Sequence, residues 1–404
     1  MRPDRTDVLI VGAGPAGSST AIHLARQGRR VVMVDRAAFP RDKACSEYTS
    51  PETLRHLDAL GVLGAIDAAP AQVLAGTTVT GSLGHALTGH FARAGGTPFR
   101  ATGLAIPRML LDATLVDAAR RAGVEVVEEA TVTGVHRNGA DAMRITLRPR
   151  HGTPPHFDAR VVVAADGLRS VVARRAGLHR QGWLRRMAFV AHVRGVTGMG
   201  REAELHVGSH GYIGLNPLGN GVTNVALVVP EHVASSARGR PDDFFFEHLA
   251  QVPGIAGRVP RHAFTRDVMV TGPFDAMSRR SVADGIMLVG DAADFFDPFT
   301  GEGICSALAG GEMAAGVLDA ALANDGPIDA HRLARYPALR RRAFLGKWIV
   351  ERMIGYTMLA PPLFDRAVGR LQRRGMADML IGVTGNFVSP WRILNPVAMA
   401  KMIV

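Results

Sequence analysis

Short, unbroken apolar runs recur at widely spaced points of the chain: Val-Leu-Ile-Val at 8–11, Val-Val-Met-Val within 30–35, Val-Val-Val-Ala-Ala within 159–165 and Ile-Met-Leu-Val at 286–289. Runs of this kind predict strands buried on both faces, the habit of a parallel sheet. Around them the spacing changes to a helical rhythm at 18–27, 52–60 and 109–122. In the last of these Leu110, Leu111, Leu115, Val116 and Ala119 recur at helical spacing, and Gly123 ends the helix. Residues 36–51 are polar and proline-punctuated, which predicts a loop. Alternation at 124–135 and 143–147 predicts two more strands.

Residues 176–275 have a different texture. The segments 187–193 and 202–207 alternate like half-buried antiparallel strands. Residues 211–229 read as a hairpin with its turn at 217–221, and 242–251 as a short helix. Residues 71–100, rich in Gly, Thr and Ala, add short strands, and a helix starts near Glu302. The pattern predicts an α/β protein with a Rossmann-type, three-layer domain assembled from 1–75, 101–175 and 276–330. Residues 76–100 and 176–275 form an antiparallel-sheet domain, and 331–404 a helical C-terminal region. No internal repeat or low-complexity tract interrupts it.

With 404 residues the chain can bury the cores of two or three domains. Its 47% apolar and 21% charged content is globular. Two cysteines build no disulfide framework and fit a reducing, cytoplasmic setting. The polar start is not expected to act as a signal peptide, and no uncharged run approaches the roughly 18 residues of a membrane span. Charge changes the picture at one end. Between His331 and Val404 stand thirteen Lys and Arg against three Asp and Glu, a balance of +10 out of +11 for the whole chain.

The first apolar run leads into Gly12-Ala13-Gly14-Pro15-Ala16-Gly17, and the helical rhythm begins at once. In this G-x-G-x-x-G spacing Gly12 permits a tight turn, Gly14 lets a pyrophosphate approach the backbone and Gly17 lets the helix pack on the strand. The helix N–H groups and positive dipole end then face the phosphates. The next strand ends on Asp35, 23 positions after Gly12, where a carboxylate reaches a ribose hydroxyl; Arg36 stands beside it. The order strand, glycines, helix, strand, acid predicts a dinucleotide site, and this motif alone does not separate FAD from NAD(P). No second unit of this kind follows, so no separate nicotinamide domain is expected. Late in the chain a strand ends on Gly290-Asp291, and Gly301-Glu302-Gly303-Ile304 opens a helix. An acid at a strand end suits a ribityl hydroxyl, and bare N–H groups at a helix start suit a phosphate or the electron-rich edge of a flavin ring.

The set Gly-Ala-Gly-Pro-Ala-Gly at 12–17, Ala-Asp-Gly at 165–167 and Gly-Asp-Ala-Ala-Asp-Phe-Phe-Asp-Pro-Phe-Thr-Gly-Glu-Gly-Ile at 290–304 resembles the FAD-dependent oxidoreductases of the para-hydroxybenzoate hydroxylase fold. Within them it is most similar to the geranylgeranyl reductase family, whose loop D-K-x-C-G-[GE] is met by Asp42-Lys-Ala-Cys-Ser-Glu47. The resemblance covers roughly residues 5–330. It implies that 12–17 hold the FAD pyrophosphate, that Asp35 and Arg36 lie at the adenine ribose, and that the backbone near Val132 meets the adenine. Arg108 would lie toward the flavin or pyrophosphate, Asp291 would bind the ribityl chain, and Gly301 to Ile304 would meet the isoalloxazine. Asp166 would support FAD and a transient NADPH, the latter or another reductant serving as electron donor. Ser46 replaces the family's glycine and Tyr48 follows, which narrows the expected pocket.

Cys45, in the loop expected near the flavin, and Tyr212, on the sheet expected to roof it, are the candidate catalytic residues. Each reads first as a packing residue, with the catalytic reading as the alternative. No C-x-x-C pair or G-x-S-x-G motif occurs, and neither a metal site nor a hydrolytic triad is expected; the chemistry belongs to the flavin. The expected activity is reduction, or formation, of a carbon–carbon double bond in a hydrophobic isoprenoid or polyketide-like molecule. Hydroxylation of an aromatic or polyketide by the same flavin is the alternative, and a non-catalytic lipid carrier a remote third. The basic tail reads either as a helical subdomain closing the pocket or as a face for an anionic membrane, which would place the protein on the membrane's inner side. No nucleic-acid module accompanies its charge.

Overall fold

The computed structural model describes residues 5–148 and 155–396. The first sheet runs, strand by strand, Val282–Ala283, Ile286–Leu288, His156–Ala164, Arg5–Val11, Val31–Val34, Glu125–Val127. From Ile286–Leu288 onward all these pairings are parallel. A parallel sheet must be covered on both faces, which is why its strands read as unbroken apolar runs. Helices Pro15–Arg26, Arg108–Arg121 and Gly303–Leu322 pack on one face through Ile22, Leu24, Leu111, Leu115, Leu308 and Leu318. The hairpin of Thr131–Arg137 with Met143–Arg148 and the short helix Val171–Arg175 cover the other. This gives the expected three layers.

The single strand expected at 124–135 is two strands. They part at Glu129, whose φ is 55°. There the Glu129 N–H donates to Ala37 O (3.3 Å) and the Ala130 N–H to Asp35 O (2.9 Å). The loop after the second strand thus takes the hydrogen bonds that a continuous strand would need, and it draws Val132 to its side.

The second sheet has the order Phe264–Thr271, Arg186–Arg194, Val222–Pro230, Gly211–Gly219, Glu202–Gly208, Gly76–Thr80, Ala86–His90. It is antiparallel apart from the pairing of Glu202–Gly208 with Gly76–Thr80. Its alternation sorts the side chains. Phe189, Val193, Ile213, Val225 and Leu227 turn outward beneath the helix Pro241–Leu249, while Ala188, Val190, Leu205, Tyr212 and Val228 turn inward. The hairpin turn is Asn220-Gly221, both left-handed at φ 53° and 72°, as a two-residue turn requires. Pro217, expected in that turn, instead lies within its strand beside a register irregularity, where a missing N–H is tolerated.

The tail folds into helices Arg335–Thr357, Pro361–Arg373, Ala377–Thr384 and Trp391–Leu394. They close on the second sheet. Asp365 accepts the N–H groups of Leu83 (2.9 Å) and His85 (3.2 Å), and Asp378 that of His90 (2.7 Å). Gly303–Leu322 is the one described helix long and apolar enough to cross a membrane, yet 67% of its most apolar stretch is buried inside the protein. It is the core helix against Pro15–Arg26, tied by Ser19 Oγ donating to Leu308 O at 2.9 Å.

Candidate active site

The two sheets and the tail enclose a cavity of ≈ 700 Å³. At one end stands the start of Pro15–Arg26. A Cβ on Gly12 would lie 2.4 Å from Ala165 O, and one on Gly17 would lie 1.9 Å from Gly12 O. Both positions are bare because backbone packs against them. Gly14 differs. A Cβ there would meet nothing nearer than the guanidinium nitrogens of Arg41 (3.7 Å) and Arg108 (3.8 Å). Gly14 therefore leaves open a space faced by a helix N-terminus and two arginines, a setting made for a diphosphate.

The other expected cofactor residues gather along the same cavity. Pro15, Ala16, Asp35, Arg36, Val132, Asp166, Gly290, Asp291, Gly301, Glu302, Gly303 and Ile304 line it, with Cys45 and Arg108. Ala13 and Gly17 do not. Ala13 instead donates its N–H to Asp35 Oδ2 (2.8 Å), and Ala37 donates to Asp35 Oδ1 (2.9 Å), so backbone fixes that carboxylate at the cavity edge. Asp166 Oδ2 accepts the Val171 N–H (2.6 Å). Its Oδ1 is buried with no partner among the described residues. Burial pushes the Asp291 carboxyl up, and Lys43 and then Arg108 counter it. Burial also opposes the charge on Arg108, but Asp112 outweighs it and holds the guanidinium protonated. Arg108 Nε and Nη2 donate to Asp112 at 2.9 and 2.6 Å. These groups fit FAD. Gly14 with the two arginines would hold the diphosphate, Asp35 the adenine ribose, Asp291 the ribityl chain and the start of Gly303–Leu322 the ring.

Cys45 sits half-buried in the loop between the two sheets, and the Glu47 N–H donates to its sulfur at 3.3 Å. Glu47 itself holds this loop. It is fully buried and left-handed, with φ 60°. Its Oε1 accepts the Arg108 N–H (2.9 Å), and its Oε2 pairs with His192 Nε2 (2.7 Å) and accepts from Asn224 Nδ2 (3.1 Å). Arg266 secures the far end of the loop through Asp42 (2.9 Å).

Tyr212 lines the cavity farther along the sheet. Its hydroxyl donates to Asp297 Oδ1 at 2.6 Å, and Arg186 donates to Asp297 Oδ2 at 2.9 Å. The Tyr212 proton is thus committed to a buried carboxylate. Helix Arg335–Thr357 supplies the remaining wall through Arg340, Phe344, Lys347, Trp348 and Glu351. Arg340 pairs with Asp294, and Lys347 donates to Ser306 Oγ at 2.9 Å. Two of the tail's basic residues are therefore turned inward onto the cavity. Next to them lies Glu302, 2% exposed, whose Oε2 accepts from Ser50 Oγ (3.1 Å) and Asn386 Nδ2 (3.0 Å). Burial pushes Glu302 up to about 7. Cys305 belongs to this same buried cluster, and burial pushes its thiol up to about 12.

Residues 5–344 match the family model described as FAD binding domain. The chain belongs to this family. Among its curated relatives is a menaquinone reductase of Mycolicibacterium smegmatis, 28% identical over 95% of this chain and 92% of the relative. A digeranylgeranylglycerophospholipid reductase of Methanothermobacter thermautotrophicus is 31% identical over 83% of this chain and 82% of its own. A solved flavoprotein/dehydrogenase of Cytophaga hutchinsonii superposes with a TM-score of 0.82, at 23% identity, over 98% of this chain and 95% of that one. A flavin-dependent brominase superposes at 0.81 and 20% identity, over 99% of this chain and 100% of that one, a likeness of fold. The FAD-binding protein is a reductase- or monooxygenase-type oxidoreductase, resembling the geranylgeranyl reductases among flavoproteins.

The sequence gives little sign of several residues of this cavity and of the loop that borders it. Lys43 and Glu47 were legible only as letters of the Asp42–Glu47 motif, and Asp297 as the acid before Pro298. His192, Asn224 and Arg266 carry no local signal, because cross-strand register alone brings them to the loop.

Proposed function

We propose that the protein is an FAD-dependent reductase of a carbon–carbon double bond in a hydrophobic isoprenoid or polyketide-like molecule, with NADPH or another reductant as electron donor. The observation that carries this reading is the cavity's apolar continuation beyond the cofactor cradle. Its wall is Ala188, Val190, Leu205, Ala226 and Val228, closed by Phe274, Phe295 and Phe344. The reductase names of the relatives quoted above support it.

When bound and reduced, FAD supplies a hydride. Cys45 supplies the proton to the other carbon, and solvent replenishes it. The sulfur accepts from the Glu47 N–H and keeps its own hydrogen, whereas the Tyr212 proton is already given to Asp297. Apolar walls exclude water from the double bond. The test is turnover of the FAD-loaded, reduced protein with candidate polyprenyl and polyketide substrates under labelled dioxygen. A product two hydrogens heavier with no label supports reduction; labelled oxygen in the product overturns it in favour of hydroxylation. Cys45→Ala is expected to lower turnover roughly 10²-fold or more, the share of a positioned acid, with FAD content unchanged.

The tail supports a lipid-facing placement. The turn between its first two helices and the first residues of the second expose Leu359, Pro362 and Leu363, and exposed Arg366, Arg373 and Arg374 follow. Exposed Trp183 stacks on Tyr356 at 5.4 Å, which in turn meets the cavity residue Phe296 at 5.7 Å. Apolar tips beside cations suit an anionic bilayer that presents a lipophilic substrate.

A further inference from the structure

The inward face of the second sheet is graded in rows of directly paired residues. The row nearest the Cys45 loop is Arg266, His192, Asn224 and Asn216. The next is Val190, Ala226, Gly214 and Leu205, and the third Ala188, Val228, Tyr212 and Val207. One polar row thus borders an apolar wall.

Within that row, Asn216 and Asn224 both line the cavity and are 3% and 1% exposed. Asn216 Nδ2 donates to Ser46 O (2.9 Å), and Asn224 Nδ2 donates to Cys45 O (2.7 Å) and Glu47 Oε2 (3.1 Å). These partners are all acceptors, so they fix which end of each amide is nitrogen. The two Oδ1 atoms are then left buried, with no hydrogen-bond partner among the described residues. Buried carbonyls without donors are costly and uncommon, and two on opposed strands lie about 5 Å apart at Cβ. What completes them has to donate. The wall beyond is made of small side chains. A Cβ on Gly214 would meet nothing nearer than Ala226 Cβ at 3.9 Å and Glu204 O at 4.0 Å, so the glycine keeps a trough open there.

We propose that Asn216 and Asn224 form a head-group subsite in which Asn216 Oδ1 accepts the one hydrogen bond that a hydroxyl at one end of an apolar substrate can donate, while Asn224 Oδ1 accepts from a water beside it. The body of that molecule lies along Gly214, Ala226 and Ala188. This rests on the cavity being the substrate site of a flavoenzyme, and it adds the chemistry of the substrate's end.

The test titrates the FAD-loaded protein with matched pairs, following the flavin absorbance: farnesol against its methyl ether, and 1-naphthol against 1-methoxynaphthalene. The chain pair and the ring pair report which body fits the trough. In the wild type the alcohol of the fitting pair is expected to bind about tenfold more tightly, equivalent to about 1.4 kcal/mol and the worth of one buried hydrogen bond. Asn216→Leu reduces that preference to less than about threefold with FAD content unchanged. Gly214→Val weakens alcohol and ether alike. Equal affinities for alcohol and ether in the FAD-loaded wild type overturn the subsite alone. Loss of FAD from Asn216→Leu assigns the oxygen to the cofactor and overturns it too. If no apolar molecule perturbs the flavin at all, the substrate-site reading falls with it.

Discussion

Replacing Glu302 with glutamine is expected to change how stability depends on pH. The folded chain holds the Glu302 proton up to about pH 7 because its carboxyl is buried, an effect that exceeds the opposing pull of Lys347 and Ser50. In the unfolded chain the same group releases it near pH 4.3. Between those values the folded state binds more protons, so stability falls as pH rises and levels off above the folded pKa. The two values lie about 2.7 apart, which amounts to about 4 kcal/mol over the whole titration, about 3 of it between pH 5 and pH 8, taken to within a factor of two. Glu302→Gln carries no such proton. Urea unfolding of both proteins at pH 5 and pH 8 isolates the residue, because the remaining buried carboxyls, Asp291, Asp297 and Glu351 among them, are common to both. The variant is expected to gain about 3 kcal/mol on the wild type between pH 5 and pH 8. Parallel stability profiles would refute the assignment of a neutral, buried carboxyl at the start of this helix.

Other expectations follow from the loop and the tail. Glu47→Ala removes the acceptor shared by Arg108 N–H, His192 and Asn224 and is expected to cost about 3–5 kcal/mol in urea unfolding. Glu47→Gly loses the same bonds but relieves the left-handed backbone, so it should be about 1 kcal/mol less damaging than alanine; equal losses would contradict the strain. Asp365→Asn weakens the latch between helix Pro361–Arg373 and the Leu83–His85 turn. Limited proteolysis should then cut within the tail faster than in the wild type, and an unchanged rate would argue against the latch. Leu359→Glu with Leu363→Glu is expected to abolish co-sedimentation with vesicles containing anionic lipid while leaving the FAD content intact; undiminished binding would remove this turn as the contact.

The cofactor cradle was legible because its parts are local. A strand, a glycine spacing and a terminal acid sit within some thirty residues, and the late motif does the same, so pattern and function coincide on one stretch. Glu47 shows where legibility stops. Its meaning comes from His192, 145 positions away, and no spacing rule links a loop acid to a histidine on the strand Arg186–Arg194 of another sheet. The tail illustrates a second limit. Its +10 balance reads as one basic surface, yet Arg340 and Lys347 are buried against Asp294 and Ser306 at the cavity. Helical periodicity gave the elements, but the inward choice of two cations depended on an acid on the short strand Asp294–Phe295 and a hydroxyl on the helix Gly303–Leu322. The interruption at Glu129 has the same origin. A strand-like sequence was broken by hydrogen bonds to a loop that the alternation pattern could not foresee.

The central claim is that three distant segments of the chain converge on one FAD, and Gly14→Val tests it most directly. A Cβ at Gly14 meets nothing closer than 3.7 Å, and its φ of −77° suits any residue. The variant should therefore fold with the wild-type circular dichroism and apoprotein melting temperature, while its side chain stands where the diphosphate belongs. Flavin fluorescence titration of the apoproteins is predicted to give one FAD per chain for the wild type and an affinity at least roughly a hundredfold weaker for the variant, about 2.7 kcal/mol. A folded Gly14→Val protein that binds FAD as tightly as the wild type would contradict the account.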